Sequence, residues 1–391
     1  MNIVPEIAAL DAEMRGWRRH LHAHPETAFE EAATSEYVAD KLRSFGLEVH
    51  TGLARTGVVA VLRNGRSDAA IGLRADLDAL HIQEQSGVAH ASVNPGRMHA
   101  CGHDGHTTML LAAAKALAQR RNFDGTLCFI FQPAEENEGG GRVMVEEGLF
   151  DRFPVQAIYG MHNWPRLPAG TFAMREGPLM AASDRFEVVA TGKGAHAAMA
   201  YQGRDPTLFA AHAINALQTI VSRNLHPLDS GVVSVTQVHA GDTWNVIPEQ
   251  VILRGSVRTF REDVQALIER RMRVLVDGAA AMFEMTATLR YERGYPATVN
   301  SAAETVHAAR AAVAVVGDDN VDTDPTPEMG SEDFSFMLQK RPGCYVWLGA
   351  GHGPDTPNIH NPRYDFNDAV LPIGASYWVT LAEQQLPRAA A

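Results

Sequence analysis

The sequence predicts an α/β protein in two parts: a main domain with a mixed, largely parallel sheet covered by helices, interrupted by a smaller ferredoxin-like α+β insert. Three observations lead there. The chain has 391 residues, more than the roughly 250–300 at which a single hydrophobic core stops growing. Strand-like and helix-like segments alternate at both ends of the chain, as parallel sheets require. Between them the order becomes β-α-β-β-α-β, that of a split βαβ unit. The expected segments are 1–182 and 296–391 for the main domain and 183–295 for the insert.

Ile7, Leu10, Met14 and Trp17 recur at helical spacing over residues 5–22, and Thr34 is the expected cap of a second helix closing at Gly46. VVAVLR at 58–63 and AAIGLRADLD at 69–78 predict buried strands, and the alanine- and leucine-rich segment from 104 predicts a helix. GTLCFIFQPAEE at 125–136 and VQAIYGMH at 155–162 are further strands. The insert opens with a strand near residue 183, continues through a helix from Pro206 to about Asn224, and pairs VVSVTQVHA with VILRGSVRTF. A helix from about Glu262 and a strand from Ala287 to Arg293 complete it. Beyond Pro296 the alternation resumes and ends in a helix from about Asp368.

Composition narrows the possible partners. With 34 Lys+Arg against 46 Asp+Glu the formal charge is −12, which repels phosphate backbones and anionic lipid surfaces and argues against nucleic acid. An anionic small substrate then needs a local cationic group. No apolar run approaches the roughly 18 residues of a spanning helix, so no membrane partner is expected. Three widely spaced cysteines do not suggest a disulfide framework. With no signal-peptide pattern at the N-terminus, the expected location is cytoplasmic.

MHACGHDGHTT at 98–108 sets His99, Cys101 and His103 at spacing two between a predicted strand and a predicted helix. In an extended chain that spacing aims side chains to one side, and Cys and His are donors for borderline metals such as zinc. Taken alone, a buried thiol beside surface histidines explains it too. FQPAEE ends an apolar strand in Glu135 and Glu136, which in an extended chain point to opposite sides, so that one acid can bind metal while the other handles a proton. A solvated loop accounts for the pair equally well. His162 in GMHNWP closes another strand and His360 in IHNPRYDFND lies in a turn; either alone reads as a packing or surface histidine. Three of these four pieces sit where strands end, and ligands of open α/β sheets gather at carboxyl ends.

RADLDAL, HACGHDGHTTMLL, FQPAEE, GMHNWP, GAHAAM, NVIPE, GSEDFSF and HNPRYDFND follow one another over nearly the whole chain. In that order they resemble the aminoacylase and carboxypeptidase superfamily of co-catalytic metallopeptidases, most closely the amidohydrolase branch of hippurate hydrolases and plant auxin-conjugate hydrolases. The resemblance implies hydrolysis of the amide bond of N-acyl amino acids, hippurate-like or N-acetylated, with two divalent metal ions per subunit, zinc or manganese. It implies that Cys101 bridges the ions, that His103, Glu136, His162 and His360 complete their shells, and that Glu135 is the general base. Asp76 would support the metal site from behind. Asp104 and His106 are weaker candidates for the same supporting role, and helix-start packing is the preferred reading of both.

The resemblance also makes the insert a lid and a dimerisation domain. His196 in GKGAHAAM would reach the neighbouring subunit's site to stabilise the oxyanion, and Asn245 and Arg258 would hold the substrate's carboxylate. A guanidinium there supplies the positive charge that the −12 background lacks; a lid-surface ion pair is the alternative. GSEDFSF at 330–336 predicts a helix start, with Gly330 permitting close backbone approach to a ligand, although Glu332 and Asp333 read equally as first-turn acids. Ala200 and Tyr201 stand where the family commonly has Pro-His, and His81 where proline is common. Cys128 and Cys344 read as small buried hydrophobes. The expected partners are a small N-acyl amino acid and a second copy of the chain. A dipeptidase or aminopeptidase would need an acid to receive a free amine, and none stands out. A structural metal protein would show a closed Cys/His set rather than carboxylates mixed with histidines.

Overall fold

A computed structural model describes residues 1–136 and 138–388. The chain forms two compact units, Met1–Leu179 with Val299–Thr326 and Asp333–Ala391, and Met180–Thr298 with Pro327–Glu332. Among the described residues no helix is long and apolar enough to cross a membrane.

The first unit is built on an eight-stranded mixed sheet. Its spatial order is Glu48–Leu53, Gly57–Asn64, Gly125–Gln132, Ala70–Asp76, Ala157–Pro168, Gly343–Gly351, Phe172–Ala173 and Val321–Asp322. Ala70–Asp76 runs parallel to both neighbours, and Ala157–Pro168 is parallel to Gly343–Gly351. Every residue of Ala70–Asp76 is buried, so Ala70–Leu73 run on without polar alternation, while the buried Arg74 and Asp76 at its end pair with each other at 2.7 Å. The alanine-rich helix His103–Arg120 is buried along most of its length and packs against the C-terminal helix Leu371–Gln385.

Local differences from expectation have physical causes. Leu10 separates the helices Pro5–Ala9 and Asp11–Ala23. The next helix starts at Ala32, ahead of Thr34, because the Glu26 carboxylate accepts the N–H groups of Ala33 and Thr34 at 3.2 and 2.8 Å and does the capping itself. Strand Glu48–Leu53, which its mostly exposed residues had hidden, forms a hairpin with Gly57–Asn64. The chain leaves the sheet at Gln132, so Glu135 and Glu136 lie in a turn after Ala134 (φ 54°), and the opposite-faces argument for an extended pair does not apply. Near Gly330 the helix is only Ser335–Leu338, so Gly330 sits in an exposed loop away from any helix start.

The second unit carries an antiparallel sheet in the order Gly231–His239, Gln250–Thr259, Ala182–Thr191, Thr286–Tyr295, with the helices Pro206–Thr219 and Glu262–Met282. This is the ferredoxin-like strand order. Its core gathers Phe186, Val188, Phe209, Leu217, Leu253, Ile268 and Met272.

Candidate active site

Asp76 is the last residue of its strand. The register Arg74↔Gly160 sets it level with His162 on the parallel neighbour, and it pairs with Gln132 on the other side. His162 is therefore not at its own strand's end, which runs on to Pro168; it stands where the adjacent strand stops and the crevice opens. The segment before helix His103–Arg120 turns through Gly102 (φ 96°), where an added Cβ would lie 2.3 Å from Asn163 Oδ1. Glycine is required at that turn, and it places Cys101 and His103 beside His162. His360 (φ 63°) is tied in by its N–H, which donates to Ala100 O at 2.7 Å.

Two donor sets meet at one thiol. Cys101, His103 and His162 form one and Cys101, Glu136 and His360 the other, the ligand atoms within each set lying within 4.8 Å of one another. His162 Nδ1 donates to the Asn163 carbonyl at 2.7 Å, which leaves Nε2 with its lone pair towards Cys101 Sγ, 3.3 Å away. His103 Nδ1 faces Asp78 Oδ1 at 3.3 Å, while its buried Nε2 has no hydrogen-bond partner. Glu136 Oε1 is 3.0 Å from His360 Nε2, ion-pair distance without hydrogen-bond geometry. Glu135, 7% exposed, joins His103 and Glu136 in a third set.

The electrostatics fit a cation. Burial, followed by the charges of Glu136 and Glu135, holds the Cys101 thiol well above its usual range, so a thiolate forms readily only when a metal replaces its proton. Burial, with His106 close by, keeps His162 well below the usual imidazole range and hence neutral, as a ligand must be. Burial also opposes the charging of His103, but Asp76 and Asp78 carry it up to about 10. The carboxylates around His103 thus stabilise positive charge at the place where the orphaned Nε2 points.

Among the residues that support these donors, Asp78 is one that motif reading passed over. Asp78, two residues beyond Asp76, bonds His103 and accepts the Glu136 N–H at 2.9 Å; its spacing in RADLD was the available signal. Asp76 bonds His106 Nδ1 at 2.6 Å and stands 3.9 Å from His103 Nε2. His106 is thus part of the polar framework, not only helix-start packing, and so is Asp104, which bonds His22 Nδ1 at 2.8 Å. A buried network beneath joins Arg74 to Asp76 and Asp333, and Asp333 to Gln132 and the Gly141 N–H. The Asp333 N–H reaches Glu135 Oε1 at 3.3 Å. His99, buried with both ring nitrogens unpartnered, belongs to none of the donor sets.

In the second unit His196 and Asn245 are exposed; His196 pairs with Val246 in a short ladder, and the Asn245 carbonyl accepts the Ala197 N–H at 2.9 Å. Arg258 Nη1 donates to Ser331 Oγ at 3.0 Å. The Gly330 carbonyl accepts the Ala181 N–H at 2.9 Å.

Fold and site together define an α/β protein with a cluster of candidate metal donors at the carboxyl ends of its parallel strands, joined to a ferredoxin-like unit. The chain belongs to Peptidase family M20/M25/M40, whose description it matches over residues 72–384. It is 39% identical to the hippurate hydrolase of Campylobacter jejuni over 386 residues, 99% of this chain and 100% of that one. It is also 39% identical to the N-acetylcysteine deacetylase of Bacillus subtilis, covering 96% of this chain and 97% of the relative. Among solved structures it resembles the Bacillus subtilis YXEP protein, a dinuclear metal-binding peptidase of the M20 family, with a TM-score of 0.85 at 37% identity over 97% of this chain and 99% of that one.

Proposed function

We propose that this protein is a metal-dependent amidohydrolase that cleaves N-acyl amino acids, hippurate-like or N-acetylated, to a carboxylic acid and a free amino acid. The observation that carries the proposal is the pair of donor sets sharing Cys101, in a chain whose full-length relatives act on such substrates. Cys101 would bridge two divalent ions, His103 and His162 completing one shell and Glu136 and His360 the other. A thiolate bridge suits the softer zinc, while the carboxylate and imidazole donors also accept manganese. When bound, such ions lower the pKa of water and offset the charge that develops on a carbonyl oxygen.

The chain's own residues do the rest. Glu135 takes the proton of the attacking water on its carboxylate and passes it to the departing amide nitrogen, a role generally worth about 10²–10⁴ in rate. The Asp333 N–H at Oε1 contributes to its orientation. Asp78 and Asp76 hold the ring of His103 and its surroundings, as carboxylates behind metal-bound histidines do. In the insert, Asn245 and Arg258 receive the substrate's carboxylate, Gly330 lines its approach, and His196 serves the oxyanion of a neighbouring subunit.

A homodimer through the insert is part of this proposal. Gly231–His239 is an edge strand, and Val238, Tyr201 and the fully exposed Trp244 are apolar side chains open to solvent on this unit. Three buried, unpaired cysteines suit a reducing cytoplasm.

The decisive experiment is amine release by metal-loaded protein from benzoyl-, acetyl- and indoleacetyl-amino acids, with dipeptides alongside and a chelated control. Chelator-sensitive cleavage of the acylated substrates is expected. Cleavage of dipeptides alone, or no turnover with metal bound, would refute the proposal.

A further inference from the structure

A cleft of about 480 Å³ in the first unit is lined by Phe29, Arg55, Leu80, His81 and Glu136 among others. It borders the metal cluster through Glu136, and no role is yet assigned to its other walls. Arg55 stands out in three ways. It sits at the tip of the hairpin between Glu48–Leu53 and Gly57–Asn64, where Ala54 and Arg55 both have positive φ, 48° and 70°. Asn-Gly is the favoured pair for such backbone, and neither residue here suits it. Strain of this kind persists where the surroundings over-determine it, and it gathers at ligand sites.

The surroundings do over-determine it, and they tie the turn to the metal cluster. The Ala54 N–H donates to Glu147 Oε2 at 2.7 Å. The buried Glu31 carboxylate accepts from Thr56 Oγ1 at 2.6 Å and, with its other oxygen, from the Ala134 N–H at 2.9 Å. One carboxylate therefore pins both the turn that presents Arg55 and the turn that presents Glu135 and Glu136. The Arg55 side chain is exposed, its guanidinium lies 4.8 Å from the Phe29 ring centroid, and among the described residues no carboxylate is within ion-pair distance of it. Of the acids along the cleft, Glu30 is engaged by Arg97, Glu136 belongs to the metal cluster, and Glu138 is exposed.

We propose that Arg55 is a substrate-binding residue that receives a second carboxylate, so that the enzyme favours N-acyl amino acids carrying one beyond the α-carboxylate. The proposal rests on the amidohydrolase reading above. A guanidinium stacked on an aromatic ring is oriented for bidentate pairing with a planar anion, and a neutral isostere forfeits that pairing. The second carboxylate can sit on the amino acid's side chain or on the acyl group.

The test compares kcat/KM for N-acetylglutamate against N-acetylglutamine, and for N-succinyl-leucine against its terminal amide, using metal-loaded wild type, Arg55→Met and Arg55→Lys. Wild type should favour the diacid of one pair by on the order of tenfold; which pair shows it tells the side of the amide. Arg55→Met should bring the ratio to about one and Arg55→Lys restore part of it, while Arg66→Met, just beyond the far end of the Gly57–Asn64 strand, keeps it. Equal kcat/KM within both pairs, or a preference that survives Arg55→Met, overturns the proposal. Calorimetric binding of the same compounds reads Arg55 without turnover. Tighter diacid binding lost in Arg55→Met sustains the anion site even if no amide is cleaved, and equal binding overturns it.

Discussion

Asp333→Asn is the sharpest probe of how Glu135, the proposed general base, is held. Asp333 Oδ1 accepts from Arg74 Nη2 at 3.2 Å and Gln132 Nε2 at 2.7 Å, and Oδ2 accepts from the Gly141 N–H at 2.7 Å. Asparagine keeps the volume but has one acceptor oxygen. Whichever way the amide turns, its NH₂ meets an N–H donor, so a bond is lost and a buried donor is orphaned, a cost of about 1–3 kcal/mol. The charge is lost as well. Removing one partner of a buried pair costs about 3–5 kcal/mol when nothing else compensates, but the fully buried Arg74 keeps Asp76 Oδ2 at 2.7 Å. The expected total is therefore about 3 kcal/mol. Urea unfolding of the chelated protein should show a lower midpoint at unchanged slope. Because the Asp333 N–H contacts Glu135 Oε1, kcat should fall too while metal content holds. A stability loss under about 1 kcal/mol with normal kcat would refute the idea that this network carries the catalytic turn.

Glu135→Gln should lose about 10²-fold or more in rate yet retain metal, whereas Glu136→Gln should lose metal; equal metal content in the two, read by elemental analysis, would contradict their division of labour. Gly102→Ala forces a Cβ into a left-handed residue and against Asn163 Oδ1, at a cost of at least about 1–2 kcal/mol, and should lower both melting temperature and metal affinity; wild-type values for both would show that the turn can relax. His22 gives a pH dependence. Burial alone would lower its pKa, but Asp104 and Glu84 raise it from 6.5 to about 9, worth about 3 kcal/mol. That contribution is complete below about pH 6.5 and is lost as pH rises through about 9. The stability gap between wild type and His22→Phe should accordingly narrow from pH 6 to pH 9.5, and a gap independent of pH would refute the pairing.

The sequence by itself determined the class of the fold, since buried parallel strands, amphipathic helices and the β-α-β-β-α-β order are written in short-range periodicity. It also offered the candidate donors, because Cys101, His103, Glu135, Glu136 and His360 lie in or beside turns that local chemistry marks, whereas His162 lies inside the strand Ala157–Pro168. Tertiary structure decided how they meet. That His162 is level with Asp76 depends on the register between two strands, Arg74 opposite Gly160, 86 positions apart. The direction of Glu135 and Glu136 depends on a left-handed Ala134 held by Glu31, a contact spanning 103 positions. Arg74 meets Asp333 across 259 positions, and neither residue carries a local sign of the other. Strand Glu48–Leu53, mostly exposed, left no periodic trace, yet its hairpin presents Arg55. Propensity and patterning act over a few residues, whereas side chains brought together by packing are fixed only when the whole sheet has closed.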